Sequence, residues 1–337
     1  MADALDVAAS ESGQWHHIPV LLDQVMECLE PRSGGRYIDA TVGLGGHAAA
    51  LLERSAPDGR VLALDADPNA LAIAQQRLAD TQGRVVFVQG RHTDLERIAR
   101  DTGFGGCQGV LLDLGVSSLQ LDDARRGFSF REAGPLDMRM DPAAALSAED
   151  VVNHWSEQDL VRIIFDYGEE RFARRVARNI VAARPVSDTA RLAEVVSRAV
   201  PTSGGIHPAT RTFQAIRIAV NSELASLEQV LPQVLSVLAP GGVMAVISFH
   251  SLEDRIVKQF MLREARGCIC PPRVPVCECG HAVQLERLSK KPIRAGLRET
   301  GQNPRSRSAL LRVARKLDSD AATEAERERA LRAHRAR

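Results

Sequence analysis

The sequence predicts an α/β fold in which a parallel sheet carries a helical insertion. Short apolar segments alternate with helical ones as far as Asp113, and a glycine-rich turn follows the first of these segments. After Asp113 no convincing strand occurs until Val243. Strands that are apolar on both faces are typical of a parallel sheet that is covered by helices on both sides.

The glycine-rich turn belongs to a strand-helix-strand unit, which reads YIDATVGLGGHAAALLERSAPDGRVLALDAD from Tyr37 to Asp67. Glycines at positions 43, 45 and 46 let a ligand reach the backbone N–H groups at the start of the helix. Asp65 follows twenty residues after Gly45, where its carboxylate can accept hydrogen bonds from both hydroxyls of a ribose. The unit predicts a nucleotide-type pocket. A tight turn without a ligand is the alternative, and the unit alone does not distinguish a dinucleotide from S-adenosylmethionine.

Periodicity and end signals predict the other elements. Proline at the first helical position predicts helices from Pro19 to Glu30 and from Pro68 to Asp80, and Ser147 and Ser156 are expected N-caps in the insertion. Apolar runs predict strands at 37–40, 61–64, 85–88, 110–113, 243–249 and 309–314. The chain then divides into a disordered N-terminus (1–14), a sheet domain (15–114 and 219–316), a helical insertion (115–218) and a charged tail (317–337).

The composition is that of a soluble globular protein. The chain has 337 residues, of which 45% are apolar and 26% charged, and its formal net charge is zero. No apolar run reaches membrane-spanning length, and the first fourteen residues contain no Lys or Arg, unlike a signal peptide. We expect a cytoplasmic protein, and both a monomer and a homodimer are compatible with the sequence.

Polar side chains follow the strands at the edge where a parallel sheet binds its ligand. Asp113 ends the fourth strand, and a carboxylate there can accept a hydrogen bond from an exocyclic amine and hold it in line with a methyl donor. Capping of the next turn is the alternative role. His47, His92 and His250 are weaker candidates because histidines near strand ends are more often structural, and His250 precedes the expected N-cap Ser251.

Two helical patterns in the insertion predict contact with nucleic acid. The first stripe consists of Arg171, Arg174, Arg175 and Arg178. Pairing of this stripe with Glu169 and Glu170 on a solvated face is an equally good interpretation. The second arc consists of Arg211, Gln214, Arg217 and Asn221. Arginine and amide donors suit phosphates and base edges. Residues 255–316 add fifteen Lys and Arg against four Asp and Glu, which fits an RNA-facing surface.

Four cysteines are closely spaced in the segment CICPPRVPVCECG. They are Cys268, Cys270, Cys277 and Cys279. Four thiolates can hold zinc tetrahedrally, although these C-x-C pairs depart from the usual C-x2-C spacing. Four reduced thiols on a flexible loop are the alternative, and the sequence alone assigns no metal.

Long segments of the chain together resemble the RsmH (MraW) family: LLDLGVSSLQLDDARRGFSF, GPLDMRMDP, YGEERFARRVARNI, HPATRTFQAIRIAVNSEL and ISFHSLEDRIVK. The similarity runs from about His17 to Lys316. It implies a Rossmann-like class I S-adenosylmethionine methyltransferase with an inserted helical domain. The implied partner is 16S rRNA or the small ribosomal subunit, and the implied reaction is N4-methylation of a cytidine in the decoding region, the family's position 1402.

The resemblance also implies the residues that bind the cofactor. They are Gly45, Gly46, His47, Asp65, His92, Asp113 and Gln120, with Asp113 also catalytic. Position 92 is often aromatic in the family, so His92 would stack on adenine less effectively. The D/N/S-P-P-aromatic motif of many amino-methyltransferases is replaced here by Asp113-Leu114-Gly115-Val116. Phe128 and Phe130 are therefore the candidates for stacking the target base.

Two other functions compete with the methyltransferase. A nicotinamide-dependent dehydrogenase is supported by the glycine turn alone. A non-catalytic RNA-binding or assembly factor could retain a vestigial pocket, but the intact turn, Asp65 and Asp113 argue against decay of the site.

Overall fold

The computed structural model describes residues 18–201, 205–271 and 278–318. The predicted disordered N-terminus, the charged tail from residue 319 onward and Cys277 lie outside the described residues. Within the described ranges no helix is long and apolar enough to cross a membrane.

Seven strands form one mixed sheet. They are Arg36–Asp39 (β1), Arg60–Asp65 (β2), Val85–Gln89 (β3), Cys107–Asp113 (β4), Leu238–Ser248 (β5), Leu285–Arg287 (β6) and Leu310–Lys316 (β7). Their order is β3-β2-β1-β4-β5-β7-β6, in which β1 to β5 are parallel and β7 is antiparallel to both β5 and β6. The order reverses between β1 and β4, and open α/β sheets bind ligands at the carboxyl edge of such a point. The predicted α/β class is confirmed.

Helices cover both faces of the sheet. The α-helices of the described residues are Leu22–Leu29 (α1), Gly46–Arg54 (α2), Pro68–Arg77 (α3), Leu95–Asp101 (α4), Ser118–Asp122 (α5), Ala148–His154 (α6), Glu157–Asp166 (α7), Ala173–Ala182 (α8), Thr189–Ser197 (α9), Thr210–Asn221 (α10), Glu223–Val237 (α11), Ser251–Glu264 (α12) and Leu297–Gln302 (α13). Successive strand side chains point to opposite faces, so Ile38 packs with α4, α11 and α12 whereas Tyr37 packs with α1, α2 and α3. Both faces are therefore apolar.

The segment between β4 and α11 has a hydrophobic cluster of its own. Helices α6 to α10 contribute Val152, Ile164, Val176, Val196 and Ile216 to this cluster. No strand occurs in the described part of residues 114–237. The predicted N-caps are observed, with Ser147 capping α6 and Ser156 capping α7. Helix α11 already packs on the sheet, so the chain returns to the main core before β5.

The observed elements differ from the predicted ones at several places. Helix α1 begins at Leu22 rather than at Pro19, because Leu21 has a left-handed backbone with φ of 54°. Strand β5 begins at Leu238 rather than at residue 243 and includes Gly241 and Gly242. Strand β6 was not predicted, since only one of its three residues is buried and no alternation is visible.

Candidate active site

The glycine turn lies at the carboxyl edge of β1 and leads into α2. Gly45 has φ of 77°, a conformation that residues with a side chain rarely adopt. A Cβ atom at Gly46 would come within 2.3 Å of the Pro19 ring, so this glycine is also required by packing. The N-cap Gly45 has no side chain with which to cap α2, and backbone amides at the start of this helix can receive an anionic group of a ligand.

Asp65 ties the glycine turn to the end of β2. Its Oδ2 accepts a hydrogen bond from the N–H of Gly43 at 2.8 Å, and its Oδ1 accepts one from the N–H of Asp67 at 2.9 Å. Burial raises the pKa of Asp65 to about 6 against the lowering effect of these hydrogen bonds. Each carboxylate oxygen keeps a second lone pair, so a ribose can still bind here. Asp65 therefore holds the shape of the turn in addition to its predicted contact with the ligand.

Two further carboxylates make this edge of the sheet acidic. Asp39 ends β1 and is 1% exposed; burial, and then the charge of Asp65, raise its pKa to about 7. Asp113 ends β4, and its pKa is raised well above the usual range by burial, followed by the charges of Asp39 and Glu253. Positive charge would stabilise the ionised forms of all three aspartates, so the site favours a cationic ligand. Asp39 was not among the predicted site residues, although its position at the end of the first strand made it a candidate.

One carboxylate oxygen of Asp113 lacks a hydrogen-bond partner. Its Oδ1 is buried without a hydrogen-bond partner, and its Oδ2 lies 3.8 Å from Nδ1 of His47, which is too far for a hydrogen bond. The Nε2 of His47 is 3.0 Å from the carbonyl oxygen of Val20, so this nitrogen carries the hydrogen. The capping role considered for Asp113 is not observed. A buried acceptor without a partner costs about 1–3 kcal/mol, which a donor N–H of a bound molecule can offset.

His92 contributes a second buried polar atom without a partner. It begins the 3-10 turn His92–Asp94 directly after β3, and its Nε2 forms no hydrogen bond. Burial, and then the charge of Arg91, lower the pKa of His92 to about 4, so the ring is neutral at pH 7. A neutral imidazole can lie against a planar ring and accept a hydrogen bond, which is compatible with its predicted role.

Gln120 is bonded within the protein at both ends of its amide. Its Nε2 donates to Oδ2 of Asp67 at 2.9 Å, and its Oε1 accepts from the N–H of Ser117 at 3.0 Å. Arg126 donates to the same oxygen of Asp67 at 2.6 Å and to the carbonyl of Met140 at 3.0 Å. The long polar segment after Asp113 is thus fixed to the end of β2 through Asp67. Neither Asp67 nor Arg126 was predicted, because only the N-cap position of Asp67 before Pro68 was visible in the sequence.

The first turn of α12 lies beside Asp113. Its N-cap is His250 rather than the predicted Ser251, and Glu253 completes a capping box with it. Although burial opposes ionisation of Glu253, its contacts with His250 and the charge of Arg217 lower its pKa. Glu253 therefore stays ionised and is one source of the raised pKa of Asp113. Glu253 was not predicted as a site residue, since helix capping was a sufficient explanation for the polar residues of this segment.

The arc on α10 that was predicted to face RNA is used inside the protein. Arg217 donates two hydrogen bonds to the carboxylate of Glu223, each at 2.8 Å, and both side chains are largely buried. The chain reverses at Ser222, whose φ is 51°, and this turn brings Glu223 back against α10. The prediction is therefore wrong for Arg217, because a helical arc that is polar can face another element as well as solvent.

The amides of the same arc are also engaged. Gln214 donates to the carbonyl of Tyr167 at 2.9 Å. Asn221 donates to the carbonyl of Met138 and accepts from the N–H of Met140, both at 2.8 Å. These bonds hold the loop after Asp113 against α10. Of the four residues only Arg211, with 44% of its side chain exposed, remains on the surface.

The basic stripe on and just before α8 is exposed, and it has no acidic partner among the described residues. It consists of Arg171, Arg174, Arg175 and Arg178, and none of these lies within 4 Å of an acid in the part of the chain that the structure describes. Glu169 instead bonds Ser251 and Arg255, and Glu170 is buried. Phe172 is 36% exposed, and the centroid of its ring lies 4.8 Å from the guanidinium carbon of Arg175. Ser251 is the first residue of α12, so its hydrogen bond to Glu169 joins the segment just before the basic stripe to the start of that helix.

The two aromatic candidates occupy different environments. Phe128 is 8% exposed and belongs to the hydrophobic cluster of the insertion, so a base cannot reach its face. Phe130 packs against His207 and Phe213, with ring centroids 4.6 and 4.8 Å away. Phe130 is the better candidate for stacking.

The residues of this edge fit S-adenosylmethionine. Its sulfonium would stabilise the three carboxylates, and the amides at the start of α2 suit its carboxylate. The unpartnered atoms of His92 and Asp113 supply an acceptor each for bound donors.

Comparison with known proteins gives the family. The model of the MraW methylase family matches residues 14–317. A protein of Symbiobacterium thermophilum named Ribosomal RNA small subunit methyltransferase H is 53% identical over 311 residues, which cover 90% of this chain and 98% of that protein. A protein of the same name from Thermomicrobium roseum is 49% identical over 324 residues, covering 95% of this chain and 99% of its own length. This chain therefore belongs to the MraW methylase family, and its methyl donor is S-adenosylmethionine.

Proposed function

We propose that this protein methylates N4 of a cytidine in 16S rRNA, in the decoding region of the small ribosomal subunit. The names of the two relatives support ribosomal RNA of the small subunit as the substrate class. The choice of an amino nitrogen is carried by one observation, the buried and unpartnered Oδ1 of Asp113 at the carboxyl end of β4.

The chemistry of an exocyclic amine explains why a carboxylate is needed there. The lone pair of the cytosine amine is delocalised into the ring, so the amine is a poor nucleophile until it is oriented and relieved of a proton. S-adenosylmethionine supplies an electrophilic methyl group. Asp113 can accept the N–H of the amine at Oδ1, hold the nitrogen in line and take up the proton that the amine loses. The positive charge of the bound donor favours the ionised carboxylate that this role requires.

Methylation of a ring carbon is not supported by the described residues. Attack at C5 of a cytosine would require a nucleophile such as a cysteine thiolate beside the donor. Cys107 lies at the start of β4, the opposite edge of the sheet from Asp113, and Cys28 lies at the end of α1. The described cysteines after α12 are likewise separated from the site by the length of that helix.

The exposed arginines of α8 are the part of the insertion best suited to bind RNA phosphates. Arg174 and Arg178 are one helical turn apart and lack acidic partners, so their donors are not used within the described structure. Each phosphate contact that is removed should flatten the log–log salt dependence of binding by about 0.7–0.9. We expect Arg174→Ala with Arg178→Ala to weaken binding of 16S rRNA and to lower this slope. Arg97→Ala, an exposed arginine on α4, is the matched control.

Nucleoside analysis tests the proposed reaction. Small subunits from cells that lack this protein are incubated with the protein and labelled S-adenosylmethionine, and the rRNA is digested and separated by mass spectrometry. We expect label in N4-methylcytidine with the wild type and none with Asp113→Asn. Label in 5-methylcytidine or in a ribose-methylated nucleoside would contradict the proposal.

A further inference from the structure

Three cysteine thiols converge beyond the carboxyl end of α12. The Sγ atoms of Cys268, Cys270 and Cys279 all lie within 4.8 Å of one another. The Sγ atoms of Cys268 and Cys279 are 3.9 Å apart, almost twice the length of about 2.05 Å of a disulfide bond. Two thiolates that bind one tetrahedral zinc at about 2.3 Å are about 3.8 Å apart. The observed separation is thus that of two ligands of one metal ion.

Backbone amides already point at these sulfur atoms. The N–H of Ile269 lies 3.5 Å from Sγ of Cys279, and the N–H of Cys270 lies 3.4 Å from Sγ of Cys268. Hydrogen bonds from N–H groups stabilise thiolate charge and orient the ligands of a metal. The turn at residues 268–270 is therefore shaped for anionic sulfur as well as for proximity.

The chain that follows the cluster is anchored to the end of α12. The N–H of Gln284 donates to the carbonyl of Glu264 at 2.8 Å, and Nε2 of His281 is 3.1 Å from the carbonyl of Arg263. Since Nε2 of His281 donates there, this atom does not act as a metal ligand. The cluster thus lies in the connection between α12 and β6. A metal ion bound there would stabilise this connection in place of apolar packing.

We propose that Cys268, Cys270 and Cys279 bind a structural zinc ion. Zinc is the divalent ion that thiolates select in a site without redox chemistry, and such sites are closed by a fourth ligand. The sequence has a further cysteine, Cys277, two residues before Cys279 and outside the described residues. The proposal does not depend on the methylated nucleoside, because the cluster lies away from the carboxyl edge of the sheet.

Elemental analysis of the full-length protein tests the site. Protein purified with a phosphine reductant and without chelators should hold about one zinc per chain. Cys268→Ser and Cys279→Ser should each lower the zinc content about tenfold, whereas Cys28→Ser in α1 should retain it. Affinity for S-adenosylmethionine close to the wild-type value shows that each variant is folded.

Cobalt titration gives an independent readout. Co²⁺ added to the metal-free wild type should produce a thiolate-to-cobalt charge-transfer band that zinc abolishes, and Cys268→Ser should lack most of this band. The proposal is overturned if the wild type holds no zinc and gives no such band. It is equally overturned if Cys268→Ser and Cys279→Ser keep as much zinc as Cys28→Ser.

Discussion

The carboxyl of Asp39 gives a direct test of the acidic edge. It is 1% exposed, accepts a hydrogen bond from the N–H of Thr41 at 3.3 Å, and has a pKa of about 7, raised mainly by burial and further by Asp65. Asp39→Asn keeps the shape and an oxygen acceptor but removes the charge. We expect this variant to be more stable than the wild type at high pH.

The magnitude follows from the difference in pKa between the folded and unfolded protein. The pKa is raised from 3.8 to about 7, so the folded state binds the proton more tightly. The corresponding stability is fully present below pH 3.8 and is lost as the pH rises through about 7. Between pH 5.5 and 8 the wild type should lose about 2 kcal/mol through this group, at about 1.4 kcal/mol per pH unit up to the folded pKa. The gain from Asp39→Asn should be larger at pH 8 by the same amount.

Urea unfolding of the cofactor-free protein at pH 5.5 and 8 measures this difference. A constant offset from the new amide cancels when the two pH values are compared, so the remaining difference reports the ionisation of Asp39 together with the loss of its charge beside Asp113. Asp80→Asn, on an exposed position after α3, is the control and should show little change at either pH. An advantage of Asp39→Asn that is equal at both pH values would refute the reasoning that burial and Asp65 raise the pKa of this carboxyl.

Three further predictions concern the cofactor site and its support. Asp65→Ala should weaken S-adenosylmethionine binding by about 1.5–3 kcal/mol in calorimetry, and unchanged affinity would remove Asp65 from the ribose site. Asp113→Asn should reduce methyl transfer at least about 100-fold while RNA affinity is kept, and near-normal transfer would show that the proton goes elsewhere. Arg217→Ala should lower the free energy of unfolding by about 3–5 kcal/mol because it leaves Glu223 buried without its partner, whereas exposed Arg211→Ala should cost less than about 1 kcal/mol. Equal effects of the two arginine variants in denaturant melts would argue against this difference.

Much of the fold could be predicted because its signals are local. The strands β1 to β4 are short apolar runs, and the caps of α6 and α7 are serines that act within three residues. Strand β6 carries no such signal, since Leu285 is its only buried residue and its place is set by pairing with β7. Pairing partners that lie far along the chain are not visible in periodicity.

The same distinction applies to the site. Glycines 45 and 46, Asp65 and Asp113 were predicted because strand ends meet at one edge of a parallel sheet. Arg217 was predicted to contact nucleic acid but is largely buried against Glu223. Glu223 lies beyond the end of α10 and is reached only through the left-handed turn at Ser222. A helical projection contains no information about an element that folds back.

Three contacts argue against a simple division between a cofactor domain and an RNA domain. Arg126 connects the loop after β4 to Asp67, two residues after Asp65. Arg217 joins α10 to Glu223, the first residue of α11. Glu169, which precedes the basic stripe, accepts a hydrogen bond from Ser251, the first residue of α12. Each contact runs from the segment between β4 and α11 to an element at the acidic edge. We therefore expect that RNA bound at the basic stripe and a methyl donor bound at the acidic edge are supported by connected parts of the structure.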